Sequence, residues 1–161
     1  MAPQLQYAFT LDVDLAPPHE FGETCAGERR FIPIVGGKVE GPRFKGQILS
    51  GGGDWNAVRA DGTVHILAKY SIKAEDGTMI NITNEGYGRA SQSTMRIVFG
   101  DDPAKASMQG PDGGDHWYTK TFPRFEVAPG KHDWLAKSCF LGDLLPPEVP
   151  NHVKIDVFEV L

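Results

Sequence analysis

Leu5-Gln6-Tyr7-Ala8-Phe9-Thr10-Leu11-Asp12-Val13-Asp14-Leu15 puts an apolar side chain at every odd position from 5 to 15. Successive side chains of a strand point to opposite faces, so a period of two predicts a strand with one buried face. Its length suits the wall of a barrel better than a small sandwich. Pro17-Pro18 then stops it, because proline has no N–H for the ladder.

Outward from this segment, strand patterns recur at 30–35, 39–50, 64–74, 79–84, 94–99, 117–127, 134–141 and 153–161. The 39–50 stretch is interrupted by Gly41-Pro42 and Gly46. Asp61-Gly62-Thr63 and Asp76-Gly77-Thr78 precede two of the runs, and Asp-Gly between alternating runs signals a hairpin, expected here as type I′. Residues 100–114, rich in Asp, Gly and Pro, read as a long surface loop. Helical periodicity is confined to a turn or two at 101–108 and 141–145. Many strands without crossover helices predict an antiparallel all-β chain. A closed barrel of about 8–10 strands is favoured because closure removes exposed edges, with residues 1–161 as a single domain.

Composition narrows the partners. The 161 residues are 40% apolar and 23% charged, with net charge −5. The sixteen Lys and Arg are scattered, which argues against nucleic acid or an anionic membrane. The N-terminus has neither a basic segment nor an apolar core of signal-peptide type, and no apolar stretch approaches a membrane span. Cys25 and Cys139 lack metal-type spacing and read as reduced thiols, so a cytoplasmic protein is expected. The expected partner is a small molecule, and a homo-oligomer is left open.

Seven glycines fall between Gly36 and Gly53, and the run ends in Gly51-Gly52-Gly53-Asp54-Trp55-Asn56 with Arg59 just beyond. Glycine weakens strands, so the cluster implies bends, bulges or a close backbone approach. Tight bends alone would account for it. The functional reading is a barrel rim that aims Asp54 inward as a base, with Arg59 holding an anionic or enolic oxygen.

Phosphate-loop, nucleophile-elbow and metal-ligand spacings are absent among the five dispersed histidines and two cysteines. No cofactor or metal is therefore expected. Two strands carry the remaining polar candidates. His65, Leu67, Lys69 and Ser71 share one face, with Tyr70 on the other; Tyr118, Lys120, Phe122, Arg124 and Glu126 share a face opposite Trp117. Either polar face can point to water or line a lumen. In the lumen, Lys69, Tyr118 and Glu126 join Asp54 and Arg59 as acid–base candidates. Trp55, His65, Tyr70, Trp117 and Trp134 would then be ligand contacts, each tryptophan being equally at home in a core. The expected pocket is on the order of 300–1,000 Å³, lined in part by Trp55 and Tyr118.

The order of these pieces resembles the family catalogued as domain of unknown function 3237. The resemblance rests on Arg30-Phe31-Ile32-Pro33-Ile34-Val35-Gly36-Gly37, Val39-Glu40-Gly41-Pro42, Gly46 and Gly52-Gly53-Asp54-Trp55. It continues through Arg59, Asp61-Gly62, Lys69-Tyr70, Asp76-Gly77, Ile80, Tyr118, Pro123-Arg124-Phe125-Glu126 and Trp134-Leu135. It implies a lipocalin-like antiparallel barrel and supplies little function, since the family has no well-established general activity. Leu67 and Lys69 depart from its usual acidic residue and arginine, which would make a lumen at those positions less charged.

Three readings follow: a cofactor-independent isomerase, cyclase or lyase acting on a small, partly apolar, polyketide-like metabolite; a non-catalytic carrier or sensor; or a structural module. Polar groups converging on a pocket favour the first two, and a lumen filled by side chains favours the third.

Overall fold

The structure, a computed structural model, describes residues 1–89 and 117–161. The strand expected at 94–99 and the loop at 100–114 lie outside the described residues.

Leu5–Leu15 forms β1 as the alternation requires, with Phe9, Leu11 and Val13 in the core. The next strands are β2 (His19–Thr24), β3 (Gly27–Glu40), β4 (Lys45–Ile48), β5 (Gly52–Val58), β6 (Val64–Ala74) and β7 (Met79–Arg89). The chain finishes with β8 (Tyr118–Thr121), β9 (Arg124–Val127), β10 (Phe140–Leu144) and β11 (His152–Val160). The pairings β6-β5-β3-β1-β11-β10-β8-β7, with β7 returning to β6, close an eight-stranded antiparallel barrel. The short strands share positions in its wall. β4 continues the place of β5 between β3 and β6, and β9 lies beyond β8 along β7.

The sequence expectations shift in several places: β5 forms where no strand is expected, and the 39–50 run divides between the end of β3 and β4. The 117–127 run divides into β8 and β9, because Pro123 cannot donate and the Phe122 N–H turns to the Glu85 carbonyl at 2.8 Å. Within 134–141 the chain forms a 3₁₀ turn, Asp133–Ala136, and the strand begins only at Phe140, replacing the helical turn expected at 141–145. β2 and the first residues of β3, both unanticipated, form a hairpin in which the Thr24 hydroxyl bonds the Gly27 carbonyl at 2.8 Å.

Both Asp-Gly hairpins form, with a different turn. Gly62 (φ +83°) and Gly77 (φ +89°) are left-handed, whereas neither Asp61 nor Asp76 has positive φ, so type I′ is not the geometry. The Gly62 N–H reaches the Arg59 carbonyl and the Gly77 N–H that of Ala74, each at 2.9 Å, closing a tight turn before the left-handed glycine. The aspartates cap it from the side: Asp61 Oδ1 accepts the Thr63 N–H at 2.9 Å and Asp76 Oδ1 the Thr78 N–H at 3.0 Å.

The half of the barrel nearest the β6–β7 turn is filled by aromatic rings. Phe9, fully buried, meets Phe44 and Phe125 edge-on at 5.3 and 5.8 Å, and Phe140 and Trp134 pack around it at 6.4 and 6.5 Å. Among the described residues no open lumen runs through that half. The opposite half, where β1 ends and β6 begins, is lined by smaller side chains and carries the site.

Candidate functional site

The glycines before Asp54 are set by neighbouring chain. A Cβ on Gly53 would lie 2.3 Å from the Phe31 ring, and one on Gly52 would lie 2.4 Å from the Lys69 carbonyl oxygen. Phe31 folds across the bare backbone of Gly53 and meets the Trp55 ring at 5.1 Å on the outer face. The register Gly53↔Lys69 and Asp54↔Ala68 turns Trp55 outward, 42% exposed, and leaves Asp54 and Asn56 on the inner side.

The β5–β6 ladder pairs Asp54 with Ala68 and resumes at Ala57 with His65, leaving Trp55 and Asn56 out of it. A side chain takes over there: the Leu67 N–H donates to Asp54 Oδ1 at 2.9 Å. Asp54 Oδ2 accepts the Asn56 Nδ2 amide at 3.0 Å, and Asn56 Oδ1 accepts the Arg30 Nε–H at 2.9 Å. Arg30, Asn56 and Asp54 thus form a relay across β3 and β5, with Asn56 fully buried at its centre.

Desolvation pushes the Asp54 carboxyl above the ordinary carboxylate range. The Leu67 N–H, the Asn56 amide and the Arg30 and His65 charges pull it down, and burial outweighs them. Burial likewise lowers the Arg30 guanidinium, against the carboxylates of Glu20, Asp54 and Glu28, which raise it.

Asp54 faces a cavity of about 50 Å³, whose wall also includes Ile32, Ala68, Tyr70, Asn84 and Ile155. Tyr70 (4% exposed) and Asn84 (1%) are buried. The Tyr70 hydroxyl and Asn84 Oδ1 have no hydrogen-bond partner among the described residues. Each such buried group costs roughly 1–3 kcal/mol when left unpaired, so two on the wall of one small cavity call for a water or a ligand group to complete their bonding. Larger depressions of about 370 and 220 Å³ lie around β4, bordered by charged surface side chains such as Lys38, Lys45, Lys73 and Glu75. The small, partly open cavity is the better candidate, because an apolar wall with a few converging polar groups is what orients a ligand.

The residues singled out from the sequence separate. Asp54 and Tyr70 meet at the cavity. Lys69 and Glu126 are exposed on the outer face, since β6 turns Val64, Ile66, Ala68, Tyr70 and Ile72 inward and β9 turns Phe125 inward. Arg59 sits at the β5–β6 turn with its guanidinium 4.7 Å from the Tyr87 ring centre. Tyr118, 38% exposed, lies outside beneath Arg89 at 4.3 Å. His65 is also outside, 2.9 Å from Glu85 and stacked on Tyr87 at 5.6 Å. Trp117 packs against the core and donates Nε1–H to the Leu144 carbonyl at 2.8 Å. Trp134 belongs to the aromatic half, under Arg43 at 3.7 Å.

Neither Trp55 nor Tyr118 lines the cavity, which at about 50 Å³ among the described residues is smaller than the pocket expected, because aromatic rings occupy the other half of the barrel. The departures at Leu67 and Lys69 do not alter the pocket, since both side chains lie outside it. Arg30, Asn56 and Asn84 are the site residues that the sequence reading missed. One signal existed: Arg30 is in phase with Ile32 and Ile34, a charge on the buried face of its strand.

A family profile described as a protein of unknown function, DUF3237, matches residues 3–160. The chain belongs to the DUF3237 family. A "UPF0311 protein" from Rhodopseudomonas palustris is 30% identical, with both chains covered in full. A beta-barrel like protein from Acinetobacter baumannii AYE superposes with TM-score 0.81 at 32% identity, over 100% of this chain and 98% of that one. A structure described as an enzyme from Penicillium herquei shares the fold at TM-score 0.70 and 20% identity, over 100% of this chain and 96% of that one. Among the described residues of this DUF3237 protein, no His, Cys, Asp and Glu cluster is arranged to hold a metal ion. No helix among them is long and apolar enough to cross a membrane.

Proposed function

We propose that this DUF3237 protein is a cytoplasmic enzyme that moves protons within a small, partly apolar metabolite, as a cofactor-independent isomerase, cyclase or lyase. The observation that carries the reading is Asp54, a carboxyl with a raised pKa held by the Arg30–Asn56 relay at the edge of an apolar cavity. A raised pKa makes the ionised form a stronger base than a surface aspartate, and the relay holds that base in one orientation. Asp54 takes a proton from one atom of the bound molecule and returns it to another, or to the leaving fragment, so the carboxyl is regenerated within the cycle. The Penicillium herquei neighbour, which shares the fold, is described as an enzyme, and that description supports the reading by analogy.

A carrier would enclose its ligand, whereas about 50 Å³ admits only the tip of one. That favours chemistry on an inserted group over storage of a whole molecule.

The test compares wild type with Asp54→Asn in metabolite fractions incubated in D₂O, followed by chromatography and mass spectrometry. Wild type should convert a compound to an isomer or a cleaved product, with solvent deuterium wherever a proton is delivered to carbon. The variant should convert it about 10²–10⁴-fold more slowly. Equal conversion by both proteins, or by neither, overturns the reading.

A further inference from the structure

The two unpartnered groups beside Asp54 differ in what they need. The strand register places Asn84 opposite Ala68 and Ile82 opposite Tyr70, so Tyr70 and Asn84 are diagonal neighbours on the inner face of β6 and β7. The Tyr70 hydroxyl has a proton to give, because burial pushes its pKa up and keeps the phenol neutral. Asn84 Oδ1 has lone pairs to fill.

A hydroxyl answers both, as water does, since its oxygen accepts from Tyr70 while its proton goes to Asn84 Oδ1. A carbonyl would answer Tyr70 and leave Asn84 Oδ1 bare, and an ammonium would do the reverse. A carboxylate or phosphate would meet no cation among the described residues of the cavity wall and would face the Asp54 carboxyl.

We propose that Tyr70 and Asn84 form a hydroxyl-binding subsite, and that the metabolite is a neutral molecule presenting an alcohol, enol or phenol O–H from an apolar skeleton. The inference rests on the reading of Asp54 as the group that does the chemistry. It adds the substrate class: the cavity takes the hydroxyl and the carbon that bears it. The rest of the molecule extends past Leu15 and Val153, which with Asp54 are the partly exposed residues of the wall.

The probes are cyclopentanol, cyclopentanone and cyclopentane, which share a ring and differ in the polar group. Each is titrated into isotopically labelled protein, and nuclear magnetic resonance follows the methyl groups of Ile66, Ala68 and Ile155. Cyclopentanol should bind at least about tenfold more tightly than either analogue, because a site built to bond a hydroxyl rejects molecules lacking it. Tyr70→Phe and Asn84→Leu should each remove most of that preference. Tyr70→Phe deletes an oxygen with no partner, so its amide spectrum should show an intact fold and keep the comparison valid if Asn84→Leu fails to fold.

A preference for the ketone, equal binding of the three probes, or a preference that survives Tyr70→Phe overturns the subsite. So does the absence of any methyl shift. None of these results bears on the Asp54→Asn turnover comparison, which uses no probe. Alcohol selectivity without turnover in that comparison would identify a hydroxyl-binding barrel and overturn the catalytic reading alone.

Discussion

Asp54 Oδ1 accepts the backbone N–H of Leu67 at 2.9 Å, so a side chain closes the ladder where the β5 backbone leaves it open. The carboxyl is consequently held as firmly as main chain while its second oxygen is tuned by Asn56. An acid–base group needs both: a fixed position and a shifted proton affinity.

The pH dependence of Asp54→Asn should reveal the desolvated carboxyl. A carboxyl whose pKa is raised on folding supports stability fully only below its unfolded value, and that support is lost as pH rises through the folded value. The asparagine variant cannot ionise. Its melting temperature relative to wild type should therefore be more favourable at about pH 7 than at about pH 4. A difference that stays constant between the two, measured by differential scanning fluorimetry, would show that the carboxyl is not desolvated.

Arg30→Gln should move the Asp54 titration upward. The Arg30 charge is among the influences that lower this carboxyl, so removing it leaves desolvation less opposed. Carbon-13 titration of the Asp54 carboxyl should show a higher midpoint than in wild type. An unchanged or lower midpoint would mean that Arg30 only packs against Asn56.

Gly53→Ala should be destabilising by about 1–3 kcal/mol, the usual cost of an overpacked site. Its new methyl group would meet the Phe31 ring 2.3 Å away. Phe31→Leu in the same chain should restore part of the loss by clearing that space. Urea unfolding followed by tryptophan fluorescence gives both values, and a fully stable Gly53→Ala would remove the steric account of the glycine.

Asp76 predicts acid sensitivity at the other end of the barrel. Hydrogen bonds from Thr78, together with His132 at 2.9 Å, depress its pKa to about 2. A depressed carboxyl gives stability that is present above its unfolded value and is lost as pH falls through the folded one. Wild type should lose melting temperature between about pH 4 and pH 2. Asp76→Asn should lose less over that window, and parallel curves would sink the assignment.

Strand identity was largely legible where local chemistry sets it. The alternation of β1 and β6 and the two Asp-Gly turns each depend on a few consecutive residues, and each appears at its place. The exact turn was not legible, because Asp61 and Asp76 act through side-chain capping rather than through positive φ. Around 134–141 the same apolar residues could serve a strand or a turn. Packing of Trp134 against Phe9 and Phe140 chose the turn.

By itself the sequence determined an antiparallel all-β chain, its two Asp-Gly hairpins, and Gly52-Gly53-Asp54-Trp55 as the stretch to examine, all from patterns that span a few residues. Only the tertiary structure decided that Trp55, Lys69 and Glu126 face out while Asp54 and Tyr70 face in. It alone joined Arg30 to Asn56 across 26 positions of chain and set Asn84 beside Tyr70. The physical reason is register: a period of two defines two faces for each strand, but pairing with neighbouring strands decides which polar groups meet inside.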